Sequence, residues 1–320
     1  MPRHHHHTSS TPLLVPSGSP TRTLPSASPL VHFHGLYLLD YLVTALLLLT
    51  SILLDTFGQP FERGFDIHDP RISYPHLQES ITSLASWLIG VVGIVVLLAV
   101  VWLRRAVARE GEASDHWWRR DAMEVGAWVR NVVLWDVHHA MLGTVLGLSV
   151  TNLLVNGTKL MVGALRPDFL ARCRPSEGMC LGDVGAVREG RMSFPSGHSG
   201  RVGAAGGFAL WYLMAVTGAV AVDARRPAGR VWRLAVCLIP VFAILFMCID
   251  RLQRNRHHVE DIVVGCLTGL AVSFLSYRYY YPPLTSTEVV GSNNIAGKPK
   301  SGPLHPNTSS GAETHDEESA

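Results

Sequence analysis

Three short stretches of the chain hold residues whose types and spacing suit phosphoryl transfer. They are Lys159 to Pro167, then Phe194-Pro195-Ser196-Gly197-His198, then Asp250 to Asp261. Lys159 and Arg166 are seven residues apart, about two helical turns, which places both cations on one face of a helix that Pro167 helps to stop. Such a pair could equally be interfacial anchors whose charged ends reach the headgroups. In the second stretch Gly197 permits close backbone approach, and the free N–H groups of a helix start attract anions, so His198 sits at a phosphate-ready helix end. In the third, His257 and Asp261 are four apart, so the carboxylate is expected to reach one ring nitrogen and leave the other deprotonated for attack. Taken alone, His257 reads as readily as an interfacial histidine, and His258 beside it shows that a histidine there need not be catalytic. Together the three stretches supply what phosphate chemistry asks for: cations for the equatorial oxygens, an in-line nucleophile, and an acid for the leaving alkoxide.

These residues have to be positioned by membrane helices. Hydrophobic residues make up 48% of the 320-residue chain and charged residues only 16%, and the apolar ones fall in long runs. Six runs approach the roughly 20 residues needed to cross a hydrocarbon core: Leu36 to Leu54, Leu84 to Leu103, Val132 to Val155, Val202 to Val222, Val231 to Ile249, and Ile262 to Tyr281. The third is the weakest, because Asp136, His138 and His139 interrupt its start. The expected fold is therefore all-α, a polytopic bundle of six transmembrane helices with the site at the ends of helices 3, 4 and 6. Residues 1–33 and 282–320 are polar and rich in Ser, Pro, Thr or Gly, and are expected to be disordered tails around a six-span domain, 34–281. Six spans put both termini on one face, and the Arg225-Arg226 loop favours a cytoplasmic location for it, so the chemistry faces the lumen or the exterior. A net charge of +2 gives no reason to expect a nucleic-acid partner, and nothing in the sequence decides whether the chain forms a homo-oligomer. The run His4 to His7 is set aside as a metal site.

With these residues in hand, the chain resembles the type 2 phosphatidic acid phosphatase superfamily, whose signature is Lys-x6-Arg-Pro, then Pro-Ser-Gly-His, then Ser-Arg-x5-His-x3-Asp. The corresponding stretches here read KLMVGALRP, PSGH and DRLQRNRHHVED. Flanking phrases such as FERGFDIHDPRISYPHL, RPDFLARCRP and REGRMSFPSGHSG are similar to the eukaryotic lipid phosphate phosphatase branch, and the likeness runs from about Asp40 to Tyr281. The resemblance implies that Lys159, Arg166 and Arg251 bind the phosphate, helped by Ser196 and Gly197. It implies that His198 protonates the leaving group and that His257 becomes phosphorylated, with Asp261 orienting it. The implied substrate is a membrane lipid phosphate, and the implied cycle needs no metal ion or other cofactor. A soluble phosphate ester as substrate, and a lipid-binding relative without catalysis, are the alternatives; the latter would be expected to lack one of these residues, and none is lacking.

The chain departs from the family pattern at Asp250, where the family has Ser, and at Arg254. A carboxylate near a bound phosphate should weaken binding unless it is neutralised, and an Asp250–Arg254 pair four apart would do so. Cys173 and Cys180, in the loop that bears the second motif, are either a disulfide or two free thiols. Small-residue spacings, Gly143 to Gly147, Gly203 to Gly207 and Gly265 to Gly269, suit close helix packing inside the bundle.

Overall fold

The computed structural model describes residues 29–112, 133–176, 178–220 and 231–285. The His4 to His7 run, the Arg225-Arg226 loop and most of both tails lie outside these residues. The chain divides into a short unit, Met1–Asp40, and a large one, Tyr41–Ala320.

Six long helices carry the fold: α1 (Pro29–Phe57), α2 (Ser83–Glu112), α3 (Leu134–Val162), α6 (Gly197–Thr217), α7 (Val231–Gln253) and α8 (Val259–Tyr280). Two short helices, α4 (Phe169–Cys173) and α5 (Val184–Gly190), and a two-stranded hairpin, β1 (Pro175–Ser176) with β2 (Met179–Cys180), lie between α3 and α6. The first turn of α1 lies within the stretch that composition assigns to the amino-terminal tail. Five of the six are long and apolar enough to cross a membrane. Outward faces of α1, α2 and α7 present Leu46, Leu49 and Ile52, then Leu88, Val92 and Val96, then Ile239, Phe242 and Phe246. Faces this apolar suit lipid and not water, and helices satisfy their own backbone polar groups there. The protein is an integral, multi-pass membrane protein.

The exception is α6, and its composition explains why. It packs against α8, α7, α3 and α2, so it faces protein on most sides and has no need of an apolar surface. Its glycines let backbones touch: a Cβ on Gly203 would stand 2.7 Å from the Cys266 carbonyl oxygen, and one on Gly265 of α8 would collide with the Ser196 carbonyl. The expected small-residue packing is thus internal to the bundle. The helix also starts five residues earlier than its apolar run, because Ser196 caps it and Gly197 and His198 form its first turn.

At the end of the bundle away from Lys159, Asp136 is fully buried near the start of α3. Tyr212 of α6 donates its hydroxyl to Asp136 Oδ2 at 2.5 Å, and Tyr281, just past α8, donates to Oδ1 at 2.9 Å. The carboxylate that weakens the third span in sequence is therefore a tie between three helices.

Candidate active site

The carboxyl ends of α3 and α7 and the amino ends of α6 and α8 meet at one end of the bundle, and every candidate residue lies there. Lys159 occupies the last turn of α3 and is buried. The helix stops at Gly163, whose left-handed backbone (φ 58°) closes it with an N–H bond to the Lys159 carbonyl. Arg166 is therefore not on the helix face shared with Lys159, as the spacing suggested, but on the loop beyond. That loop is fastened by backbone bonds, Arg166 N–H to the Gly190 carbonyl and Ser193 N–H to the Ala164 carbonyl, both 2.9 Å. Gly163, and not Pro167, ends α3.

The second difference concerns His257. It precedes α8, whose cap is His258 and whose third residue is Asp261. His257 Nδ1 lies 2.8 Å from the Ser193 carbonyl oxygen, while Asp261 Oδ2 is 3.8 Å away, beyond hydrogen-bond length. A carbonyl only accepts, so Nδ1 must carry the proton and Nε2 is left with its lone pair. Asp261 instead accepts from the Ser193 hydroxyl at 2.5 Å and from the His258 N–H at 2.9 Å, so it fixes the segment that fixes His257. Burial, with Arg166 and Lys159 nearby, pushes the His257 pKa down to about 3 against the pull of Asp261, which keeps the ring neutral at ordinary pH. His258 behaves oppositely: its hydrogen bonding to Asp261 raises its pKa, and its side chain is partly exposed. The two adjacent histidines, indistinguishable by spacing, are separated by burial.

Ser196 is fully buried; its oxygen accepts from the Ser199 N–H at 3.4 Å, and its own N–H donates to the Asp261 carbonyl at 2.9 Å. His198 is buried with Nε2 unpartnered. Arg166 Nε and Arg251 Nη1 are buried donors without a hydrogen-bond partner. Unsatisfied donors of this kind are costly, and several on one wall are what a site shaped for anionic oxygens requires.

Each of the two arginines has a carboxylate behind it. Glu189 accepts from Arg166 Nη1 and Arg172 Nη1, both at 2.8 Å, and Arg172 Nε donates to Asp168 at 2.9 Å. Burial alone would raise the Glu189 carboxyl, but Arg166 and Arg172 outweigh it and hold it down at about 2. Asp250 accepts from Arg251 Nε at 2.9 Å and from Arg251 Nη2 and Ser80 at short range. The expected Arg254 partner is 3.8 Å from Asp250 and half-exposed, so Arg251 is its main counter-charge. Sequence reasoning missed Glu189, Ser193, Arg172 and Ser80; only the charge alternation in RPDFLARCRP and REGR gave any signal of the first and third.

Outside this wall lies an open cleft of about 440 Å³ lined by Arg172, Arg256, His76, Glu79 and Glu189 among others. Cys173 and Cys180 are joined in a disulfide there. Asn156 of α3 is buried and donates to Ser51 of α1. Among the described residues, no group of three or more His, Cys, Asp or Glu could hold a metal ion.

Fold and site together define a buried histidine centre surrounded by cations at one end of a membrane helix bundle. The family profile described as the PAP2 superfamily matches residues 140–283. The chain is 30% identical over 260 residues to phospholipid phosphatase 2 of Rattus norvegicus, covering 76% of this chain and 84% of the relative. It is 29% identical over 264 residues to lipid phosphate phosphatase 2 of Arabidopsis thaliana, covering 79% and 78%. To diacylglycerol pyrophosphate phosphatase 1 of Saccharomyces cerevisiae it is 26% identical over 258 residues, covering 74% and 78%. No solved structure matches significantly. The chain belongs to the PAP2 superfamily, in its eukaryotic lipid phosphate phosphatase branch, and is a phosphatase.

Proposed function

We propose that the protein hydrolyses lipid phosphates, phosphatidic acid and related lysophosphatidate, diacylglycerol pyrophosphate and sphingoid phosphates among them, through a phosphohistidine. The observation that carries this reading is the His257 Nδ1–H bond to the Ser193 carbonyl, which leaves Nε2 with its lone pair on a buried ring that has Arg166 and Lys159 within electrostatic range. All six long helices, α6 included, cross the bilayer in this reading, with both termini cytoplasmic and the site at the lumenal or outer surface. The headgroup enters from the outer leaflet.

Lys159, Arg166 and Arg251 take the equatorial oxygens, with Ser196 and the Gly197 N–H completing the cradle. His257 Nε2 attacks phosphorus, the bond to the lipid oxygen breaks, and that oxygen takes a proton from His198. The phosphate's negative charge is what lets His198 hold the proton it gives. Water then attacks the phosphohistidine, passing a proton back to His198, and inorganic phosphate leaves as His257 is restored. Asp261 keeps Ser193, and through it His257, in place. The steps draw their charge stabilisation from Lys and Arg, so no metal ion takes part.

The test is phosphate release by the purified protein, in chelator, from a panel of lipid phosphates and soluble sugar phosphates. Release from lipids at a rate at least about tenfold above the soluble esters is expected. Preference for a soluble ester, or a requirement for added magnesium, would overturn the substrate class or the metal-free cycle respectively.

A further inference from the structure

Outside the three motifs, Arg201, one turn along α6 from Gly197, also stands at the site. A Cβ placed on Gly197 would stand 3.2 Å from Lys159 Nζ and 3.7 Å from Arg201 Nη2. The tips of the two side chains thus flank one point, and that point is the first residue of α6, where unpaired helix N–H groups already favour an anion. Lys159, Arg251 and Arg201 all lie within electrostatic range of His198.

From this convergence we infer that Arg201 is a further phosphate-binding residue, meeting the same oxygens as Lys159; the inference rests on the site being the phosphatase centre proposed above. Two cations gathered over one backbone atom repel each other in a buried setting, and a phosphate between them reverses the sign of that interaction. Asp55 and Glu79 are in electrostatic range of Arg201, but Glu79 is shared with Arg251 at 3.6 Å and Arg256 at 3.9 Å. The guanidinium is also held in place: Nη1 donates to Asn152 Oδ1 at 3.3 Å, and its carbon lies 5.9 Å from the centre of the Trp87 ring. A side chain anchored on one side, with its other nitrogen beside Lys159, is pre-organised to bind rather than free to swing away. The family signature does not include this position, so Arg201 adds a donor to the oxyanion wall that relatives with a neutral residue there would lack.

The experiment uses the full-length protein and vanadate as the probe, because it mimics phosphate in trigonal-bipyramidal form. Inhibition constants for vanadate and kcat/KM on phosphatidic acid are compared for wild type, Arg201→Gln and Arg201→Lys, with thermal unfolding of each. Gln retains polarity and a donor for Asn152 but not the charge; Lys retains the charge. The expected result is that R201Q weakens vanadate inhibition by about tenfold to a hundredfold and lowers kcat/KM in parallel, at unchanged unfolding temperature. R201K should stay within about fivefold of wild type. Vanadate inhibition of folded R201Q within about twofold of wild type, or equal weakening in R201Q and R201K, overturns the role, the latter because lost packing would then explain both. If wild type is insensitive to vanadate and His257→Ala is as active as wild type, it is the phosphatase reading of this site that falls, and Arg201 with it.

Discussion

Asp136 at one end of the bundle and the cationic cluster at the other are buried in opposite ways. At the Asp136 end, both carboxylate oxygens receive tyrosine hydroxyls from α6 and from beyond α8. At the Lys159 end, His198 Nε2 and the N–H donors of Arg166 Nε and Arg251 Nη1 are buried without a hydrogen-bond partner. A folded protein tolerates such donors only where something else holds them in place, and here Glu189 and Asp250 hold the arginines from behind. A satisfied buried charge fastens helices; an unsatisfied cluster waits for a ligand.

The contrast breaks down if the two ends respond alike to substitution. The largest separation is expected between His198→Ala and Asp136→Ala. H198A should lower kcat by about a hundredfold or more through loss of the proton donor, with little change in unfolding temperature. D136A should do the reverse: it strands the buried Tyr212 hydroxyl and leaves Tyr281 only the Asp136 backbone carbonyl at 3.1 Å, which costs about 2 kcal/mol of stability, while the folded fraction keeps its kcat. Turnover per folded molecule, alongside thermal unfolding in detergent, measures both.

A smaller effect separates the two carboxylates behind the arginines. Glu189→Gln loosens both Arg166 and Arg172, and should raise the apparent KM by about tenfold. Asp250→Ser restores the residue the family pattern has, and Ser80 and Glu79 remain beside Arg251. Its effect on KM should be about threefold or less. Steady-state kinetics on one lipid substrate rank the pair; equal effects would show that Asp250 carries as much of the site as Glu189.

The helices were legible in the sequence because a bilayer demands long apolar runs, and the start of α6 was placed five residues late because a helix surrounded by protein can open with polar and glycine residues. The clustering of Lys159, Arg166, His198, Arg251, His257 and Asp261 at one end was legible from motif spacing and helix polarity. How they are held was not. The partner of His257 is a backbone carbonyl, which any residue at 193 would supply and which leaves no trace in side-chain spacing. Gly163 ends α3 before Pro167 can, because a left-handed cap acts locally while the motif drew attention to the proline. Glu189 lies 23 residues from Arg166, and only the fold of the intervening loop brings them to 2.8 Å. Asp250 looked like an intruder because its neighbour in sequence, Arg251, is also its partner in space.

The most direct test of the account is to mix the protein with phosphate-labelled phosphatidic acid, quench at short times without acid, and map the labelled residue by mass spectrometry. A phosphoramidate on His257, absent in His257→Ala and accumulating in a variant whose second step is slowed, is the predicted result. Label on His198, on His258 or on no residue at all, in a preparation that turns over normally, would contradict it.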